Sequence, residues 1–361
     1  MQKLLIVVDA PGPAEFILPV LPLIKKIADI RIVTVLGSPT AILAKYKPIR
    51  CDTPEEAEKI YRETPSDALL VAMSSLVTGP FVSGKFTMLA HADKKKVICF
   101  QDFWANHRFS ENFKMMRYWD AVLTIDELAK NYLIRDAYEG VIYNTGSPAF
   151  DRFRKENVAK ERTKLRKKYG IANNRFVILY AGAGTPAGWN EDEATFKFLS
   201  GVIDKFQKKY ADSVFIARQH PRDEKPGRYT AIAPNLKYLE TTSIPLSEDL
   251  LPIADVVIGM YATNLIHACY LRIPGISILL PNAGKKRLQE NMLIPDFPPN
   301  SVGATIGIYE DDQEYLEFVL ETLVNDPIKK LVLQTMQARF FQFEKEPSAK
   351  KVAAAIKKEL K

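Results

Sequence analysis

The sequence has few cysteines and no long apolar run, and each shortage excludes a class of protein. Three cysteines occur in 361 residues, at positions 51, 99 and 269, so they are odd in number and far apart. A disulfide framework or a zinc ribbon is therefore not predicted, and a reducing cytoplasm is the expected location. The longest apolar stretches, such as Ala68–Met73 and Ile276–Leu280, fall far short of the ~20 residues that a membrane-spanning helix needs.

Several motifs of nucleotide and hydrolytic chemistry are also absent. The chain has no G-x-x-x-x-G-K-[ST], no G-x-S-x-G and no H-E-x-x-H segment, so a P-loop kinase is not predicted. It has no D-x-D pair, which is the common means of holding Mg²⁺ on the diphosphate of a nucleotide-activated sugar. We therefore predict no metal site and no cofactor. Arginine, histidine and helix ends are expected to stabilise the charge on a leaving phosphate.

The composition is that of an ordinary globular protein, with 47% hydrophobic and 26% charged residues. The net charge of +7 is mild for this length, and most of the lysine excess is interpreted as solvated surface. No nucleic-acid partner and no signal peptide are predicted. Peripheral contact with an anionic membrane, at its inner face, is a hypothesis that rests on net charge and on Lys350, Lys351, Lys357, Lys358 and Lys361.

Short β-branched runs alternate with longer segments of helical spacing along most of the chain. Leu4–Val8 and Val214–Arg218 are typical of the predicted strands, whereas Ala14–Ala28 and Glu191–Tyr210 are typical of the predicted helices. Continuous apolar strands separated by helices indicate parallel sheets that are covered on both faces. The sequence therefore predicts an α/β fold.

A highly charged, helix-prone stretch that ends in glycine interrupts this alternation once. At roughly 100–200 residues per domain, the length also suggests about two domains. We predict two Rossmann-like, doubly wound domains that face a cleft, with a C-terminal helical tail that crosses back to the first domain. The predicted parts are an N-terminal acceptor domain at 1–150, a charged helical linker at 151–170, a donor domain at 171–330 and tail helices at 331–361.

Two loops of the first half follow predicted strands and carry polar side chains. Asp9–Glu15 contains glycine and proline, which predict a tight turn, and it places Glu15 in the first turn of the next helix. A carboxylate there is stabilised by the helix N-terminus, and a purely structural role for Glu15 is the alternative. Gln101–Phe109 mixes aromatic and polar residues, so it predicts either a polar acceptor pocket or a loop of packing residues.

Three loops of the second half suit a phosphate. Gly182–Asn190 formally fits the G-x-G-x-x-A dinucleotide fingerprint, but the next strand ends in Arg218 rather than in the acid that the fingerprint requires. A generic phosphate loop is favoured, with a structural turn as the alternative. Arg218, His220 and Arg222 form a compact anion site, because arginine can bind phosphate through two parallel hydrogen bonds, and a surface basic cluster is the alternative. Ala254–Asn264 is a strand, a small-residue turn and a helix start, whose N–H groups suit a phosphate.

Together these segments resemble the two-domain GT-B glycosyltransferases and their relatives. Gly12–Glu15, followed by the LPVLPLI of Leu18–Ile24, looks like the opening of Kdo transferases, and UDP-N-acetylglucosamine 2-epimerases open similarly. Gly146–Asp151 looks like the G-N-P-x-x-D segment that ends the N-terminal domain in these groups. His220-Pro221 resembles the H-P motif of bacterial sialyltransferases, capsule Kdo transferases and CDP-glycerol glycerophosphotransferases. Ala254–Pro274 looks like the donor-binding strand, turn and helix of the superfamily.

The resemblance implies a metal-independent glycosyltransferase of cell-surface polysaccharide synthesis. It would move a sugar from a nucleotide-activated donor to a glycan or lipid-linked acceptor. Glu15 would be the catalytic base, and His220 would act with Arg218 on the leaving phosphate. The implied acceptor-binding residues are Gly12, Asp102, Trp104, Asn106 and Arg108. The implied donor-binding residues are Gly182, Gly184, Thr185, Arg218, His220, Met260, Tyr261, Thr263, Asn264 and His267.

Two positions depart from the superfamily pattern. His267 stands at about the place where many relatives carry a glutamate for the donor ribose or sugar, and Ala262-Thr263 replaces the usual Ser-Ser or Ser-Gly turn. The alternatives are a UDP-N-acetylglucosamine 2-epimerase-like enzyme, a polyol-phosphate transferase of the CDP-glycerol type, and a diverged, non-catalytic nucleotide-sugar-binding protein. The donor base and sugar, the acceptor, the stereochemistry and the oligomeric state stay open.

Overall fold

The chain divides into two units. A computed structural model describes residues 1–35, 37–73, 81–155, 157–183, 190–220, 227–240, 247–291 and 293–361. The first unit comprises residues 1–154, 291–293 and 343–361, so it contains both ends of the chain. The second unit comprises residues 155–290 and 294–342. Among the described helices, none combines the length and the apolar character needed to cross a membrane.

The first unit is built on a seven-stranded parallel sheet. Its strands are β1 Gln2–Val8, β2 Ala28–Thr34, β3 Ile49–Arg50, β4 Ala68–Ala72, β5 Lys96–Phe100, β6 Ala121–Thr124 and β7 Val141–Asn144. Their order across the sheet is β3-β2-β1-β4-β5-β6-β7. Every residue of β4 is buried, which explains its continuous apolar run. The order reverses between β1 and β4, and such a reversal opens a crevice at the carboxyl ends of the strands.

The helices of the first half are short and are placed by prolines and caps. They are α1 Pro11–Ile17, α2 Leu21–Ile24, α3 Gly37–Ile42, α4 Pro54–Glu63, α5 Val82–Ala92, α6 Ser110–Met115 and α7 Glu127–Arg135. The predicted single helix over Ala14–Ala28 is wrong, because the chain forms α1 and α2 there and Ala28 already begins β2. Pro19 has no N–H to continue the ladder of α1.

The second unit is built on a six-stranded parallel sheet. Its strands are β8 Val177–Ala181, β9 Val214–Arg218, β10 Leu239–Glu240, β11 Val256–Gly259, β12 Gly275–Ile278 and β13 Ile306–Ile308. Their order is β10-β9-β8-β11-β12-β13, which is the 3-2-1-4-5-6 order of a Rossmann sheet. The predicted α/β class with two doubly wound parallel sheets is thus confirmed. The reversal lies between β8 and β11, which pair directly from Val256↔Ile178 onward.

Helices cover this sheet and complete the chain. They are α8 Val158–Lys168, α9 Glu191–Lys209, α10 Arg228–Ile232, α11 Thr263–Tyr270, α12 Lys286–Asn291, α13 Pro298–Ser301, α14 Gln313–Asn325, α15 Pro327–Phe340 and α16 Ser348–Glu359. The core of the second unit is rich in aromatic rings, among which Phe196 stacks on Tyr229 with ring centres 4.1 Å apart. α16 belongs to the first unit, where Glu359 accepts a hydrogen bond from the Tyr143 hydroxyl at 2.5 Å.

The charged segment after residue 150 is held firmly by a buried ion cluster of the second unit. Arg166 of α8 is 2% exposed and donates to Asp255 Oδ2 at 2.8 Å and to the carbonyl oxygen of Asn173 at 2.6 Å. Arg162 donates to the other Asp255 oxygen at 3.2 Å, and the Val177 N–H donates to Oδ2 at 2.8 Å. These contacts fasten α8 to the start of β8 and to the turn before β11.

Arg166→Ala should therefore destabilise the second unit by about 3–5 kcal/mol, because it leaves Asp255 buried without its main cationic partner. Urea unfolding followed by circular dichroism measures this loss. The matched control is Lys164→Ala on the same helix, whose side chain is 72% exposed and pairs with Glu161. The control should cost less than about 1 kcal/mol. Equal effects of the two substitutions would contradict this account of α8.

Candidate active site

Two carboxylates lie at the carboxyl edge of the first sheet. Asp9 follows β1, is 3% exposed and accepts a hydrogen bond from the Ser83 hydroxyl at 3.1 Å. Asp102 follows β5, and a Cβ atom at position 12 would collide with its carboxylate, so Gly12 is what lets α1 approach it closely. Burial raises the pKa of the Cys99 thiol well above its usual range, and the charges of Asp9 and Asp102 raise it further. Both carboxylates therefore lie around the end of β5.

Glu15 lies on α1, but it does not stand where the sequence predicts. The helix begins at Pro11 and has no acidic residue in its first turn, so the predicted stabilisation of Glu15 by the helix N-terminus is wrong. Gly12 and Pro13 belong to the helix rather than to a tight turn, since proline is well accepted in a first helical turn. Glu15 is half-buried and three residues after Gly12, which puts it on the helix face that approaches Asp102.

The aromatic loop after β5 makes hydrogen bonds within the first unit. Trp104 is only 2% exposed, and its indole N–H donates to Asp126 Oδ2 at 2.6 Å. The Trp104 ring is thus packed inside the first unit, as in the packing alternative for this loop, and its acceptor-binding role stays a prediction. Asn106 is also buried and donates to Asp102 Oδ1 at 2.9 Å, so it orients that carboxylate.

The side chain of Arg108 makes several hydrogen bonds within the first unit. Its guanidinium donates to both oxygens of Asp136, at 2.6 and 3.0 Å, and to the carbonyl oxygen of Leu293 at 2.7 Å. It also lies over the Tyr132 ring, 4.8 Å from the ring centre. His107 shares the same partner, with its Nε2 atom 2.7 Å from Asp136 Oδ2. These contacts hold the loop in place, and the acceptor-binding role of Arg108 stays a prediction.

The loop after β8 begins with two backbone groups that are already engaged. The Gly182 N–H donates to the carbonyl oxygen of Arg218 at 3.0 Å, and a Cβ atom at this position would collide with the Tyr229 hydroxyl. The Ala183 N–H donates to Asp192 Oδ1 at 2.9 Å. Gly182 therefore serves close packing rather than N–H donation to a phosphate. The predicted residues Gly184 and Thr185 lie outside the described residues.

A buried carboxylate anchors this loop. Asp192, in the first turn of α9, is fully buried and accepts hydrogen bonds from the hydroxyls of Tyr180 and Tyr229, both at 2.7 Å. Burial raises the pKa of Asp192, and these hydrogen bonds oppose that rise. Arg228 lies 3.8 Å from the same carboxylate, which brings a further cation to the carboxyl edge of the second sheet.

The other predicted donor residues divide into buried and accessible ones. Met260 and His267 are fully buried, so their side chains do not line a surface that a ligand reaches. The Met260 carbonyl oxygen accepts from the Ser277 hydroxyl at 2.5 Å, which ties β11 to β12. The partly or fully exposed residues are His220 after β9, Tyr261 after β11, whose hydroxyl oxygen is nevertheless buried, and Thr263 and Asn264 at the start of α11.

Three residues that sequence reasoning missed also lie at this edge. Arg228 is the first residue of α10, Glu191 is the first residue of α9, and Arg287 lies on α12 beyond the end of β12. The guanidinium carbon of Arg287 is 5.7 Å from the centre of the Tyr261 ring. No local motif marks these positions. Only the order of the strands brings them together with Arg218.

This edge therefore carries three arginines and a histidine beside the reversal of the strand order, which is the geometry expected for a diphosphate site. Within the described ranges, no group of three or more His, Cys, Asp and Glu side chains is arranged to hold a metal ion.

A family profile described as CDP-Glycerol:Poly(glycerophosphate) glycerophosphotransferase matches residues 89–358, which is well over half of the chain. The chain belongs to this family. No curated protein sequence matches it. Membership confirms the predicted superfamily, because CDP-glycerol glycerophosphotransferases are among the groups that the sequence motifs resemble.

Solved structures of the same architecture align along nearly the whole chain. UDP-GlcNAc 2-epimerase from Neisseria meningitidis bound to UDP-GlcNAc is 14% identical with a TM-score of 0.70, over 99% of this chain and 100% of that chain. The S. aureus MnaA–UDP structure is 11% identical with a TM-score of 0.72, over 100% and 97%. MurG from Acinetobacter baumannii is 15% identical with a TM-score of 0.58, over 98% and 99%. These likenesses confirm the GT-B-like fold.

Asp126, the partner of Trp104, should make stability depend on pH. Burial raises its pKa from 3.8 to about 6, so the folded protein holds this proton more tightly than the unfolded chain. Wild type should thus gain about 1 kcal/mol relative to Asp126→Asn between pH 7 and pH 5. Asparagine keeps the helix cap that Asp126 forms with the Ala129 N–H. Urea unfolding of both proteins at the two pH values measures the difference, and a pH-independent difference would refute the shift.

Proposed function

We propose that this protein is a transferase that moves a polyol phosphate of the glycerol phosphate type. The donor would be a CDP-activated polyol, and the acceptor would be a hydroxyl of a cell-surface polymer or of its lipid-linked precursor. The family match over residues 89–358 carries this proposal. The proposed reaction takes place at the inner face of the cytoplasmic membrane, where a protein of net charge +7 meets an anionic surface.

The second candidate is transfer of a sugar from a nucleotide-activated donor in polysaccharide synthesis. A specific feature favours it: residues 1–88 lie outside the family match, and they contain the Gly12–Glu15 opening that resembles Kdo transferases. Both reactions need the same parts, namely a cationic site for the donor phosphates and a base beside the acceptor hydroxyl. They differ in the atom attacked and in the nucleotide released.

On the donor side, the proposal assigns the diphosphate to the carboxyl edge of the second sheet. Arg218 at the end of β9, His220 two residues further and Arg228 on α10 approach from one side of the strand reversal. Arg287 and the start of α11 approach from the other side. Guanidinium groups bind phosphate oxygens through paired, charge-assisted hydrogen bonds, so they can stabilise the charge that grows on the leaving nucleotide without a metal ion.

On the acceptor side, the proposal assigns the base to Glu15. The acceptor oxygen attacks the β-phosphorus of the donor while the Glu15 carboxylate takes its proton. A new P–O bond forms to the acceptor, the bond between the β-phosphorus and the bridging oxygen breaks, and CMP leaves with that electron pair. Asp102, oriented by Asn106, lies on the same side of α1 and would hold the acceptor by a second hydroxyl.

The nucleotide that is released distinguishes the two candidates. Wild type incubated with CDP-glycerol and a glycerol phosphate acceptor should release CMP, whereas UDP-sugars should release little UDP. His220→Ala should lower this turnover by about 100- to 1,000-fold, as expected for loss of one group that stabilises the leaving charge. The matched control is His91→Ala on α5, an exposed histidine of the first unit, which should turn over like wild type. Chromatography of the nucleotides measures all three proteins.

Release of UDP from a UDP-sugar, without CMP from CDP-glycerol, would support the second candidate instead. Release of neither nucleotide, together with no thermal stabilisation by millimolar CDP or UDP, would contradict both. A ligand at 100 times its Kd should add about 2.7 kcal/mol to the free energy of unfolding, which is easily detected as a shift of the midpoint.

Glu15→Gln tests the acceptor side separately. This change removes the proton acceptor but keeps the size of the side chain, so turnover should fall by about 100- to 10,000-fold. Binding of CDP by the second unit should stay within a factor of about two of wild type. The control is Glu63→Gln, an exposed acid at the end of α4. A Glu15→Gln protein that keeps wild-type turnover would remove Glu15 from the mechanism.

A further inference from the structure

Among the described residues at the carboxyl edge of the second sheet, two buried oxygen atoms have no hydrogen-bond partner. They are Oε2 of Glu191 and the hydroxyl oxygen of Tyr261. A buried polar atom that is left unsatisfied costs about 1–3 kcal/mol, and more where the group is charged. Each such atom calls for an explanation, and at the edge where open parallel sheets bind ligands a bound group is the explanation we pursue. Two of them at one edge therefore indicate a bound group that supplies hydrogen-bond donors.

Arg287 interacts with both residues. The Arg287 guanidinium lies over the Tyr261 ring, 5.7 Å from the ring centre. Burial lowers the pKa of Arg287, and electrostatic interactions with Tyr261 and Glu191 oppose that effect. Burial likewise raises the pKa of Tyr261, which Arg287 lowers and Glu191 raises. The carboxylate, the phenol and the guanidinium thus act on one another across a small region.

The fold holds this group rigidly, beside the proposed diphosphate site. Glu191 opens α9, and the next residue, Asp192, is locked by the hydroxyls of Tyr180 and Tyr229. Tyr261 follows β11, which lies next to β8 at the reversal of the strand order. The side chain of Glu191 therefore lies at the carboxyl edge of the second sheet, where open parallel sheets bind ligands.

We infer that Glu191 and Tyr261 bind a vicinal diol of the donor, with Arg287 on the phosphate attached to it. A carboxylate only accepts hydrogen bonds, so it selects a hydroxyl or amine and repels a phosphate. A phenol both donates and accepts, which suits the neighbouring hydroxyl. This inference rests on the proposed function, since it names the part of the nucleotide-activated donor that Glu191 and Tyr261 recognise.

A vicinal diol occurs in two parts of such a donor: the ribose of the nucleotide and the transferred polyol. Calorimetric titration distinguishes them. In the first arm, CDP is compared with 2′-deoxy-CDP. In the second arm, CDP-glycerol is compared with CDP-propanol, which lacks the two free hydroxyls. Wild type should prefer the diol-bearing ligand by about 10- to 100-fold in one of the arms, as expected for hydrogen bonds to a charged group.

Glu191→Gln should reduce that preference to less than about threefold, and Tyr261→Phe should reduce it in part. Glutamine keeps the shape of glutamate but loses the charge that strengthens the bond. The matched control is Glu193→Gln in the same helical turn, an exposed acid that should keep the wild-type preference. The thermal midpoint of Glu191→Gln without ligand should equal that of the control, because Glu191 Oε2 makes no hydrogen bond within the described part of the chain.

Three results would overturn the inference. The first is a wild type that binds both ligands of each arm equally. The second is a Glu191→Gln protein that keeps the full wild-type preference. The third is a wild type that binds no nucleoside diphosphate at all, and this result alone would also contradict the proposed function. The first two leave donor binding, and hence the proposed function, intact.

Discussion

Parallel strand pairing is the constraint on which the rest of this structure depends. A parallel pair cannot be joined by a tight turn, so each strand is followed by a crossover that returns the chain to the same starting edge. All strands of a sheet therefore end at one edge, and the loops that follow them gather there. In the second sheet, Gly182, Arg218 and Met260 lie at the ends of three strands, and the segment that leads to Arg287 follows a fourth. The parallel pairing therefore brings four separate stretches of sequence to one edge. No local pattern could bring these residues together.

Buried charged groups at both edges of the second sheet serve the fold, Asp192 at the carboxyl edge and Arg166 at the opposite edge. Asp192 and Arg166 are each surrounded by hydrogen-bond partners, as charged groups inside a protein must be. Asp192 fastens the loop after β8, and Arg166 fastens α8 to the turn before β11. Removing either partner set would leave an isolated charge at a cost of several kcal/mol. These buried groups, whose hydrogen bonds are all made within the protein, fix the loop after β8 and the position of α8.

The strands and the α/β class could be predicted from the sequence because a strand buried on both faces must be apolar throughout. The helix breaks after β1 were harder, since the apolar spacing of Ala14–Ala28 continues through prolines that end α1. Burial of polar residues was harder still. Trp104 and His267 carry chemical groups typical of sites, yet both are inside the protein because of long-range packing that no local pattern records.

Glu191 and Asp192 illustrate the limit most sharply, since both are acids in the first turn of one helix. By sequence they are equivalent, because each suits the positive end of α9. About 100° of helical rotation separates their side chains, and this decides their roles. One faces two tyrosine hydroxyls and is satisfied by the fold, while the other keeps an unsatisfied oxygen beside Arg287. The proposed donor site therefore depends on which of two adjacent acids the helix turns inward, and the sequence alone does not record that choice.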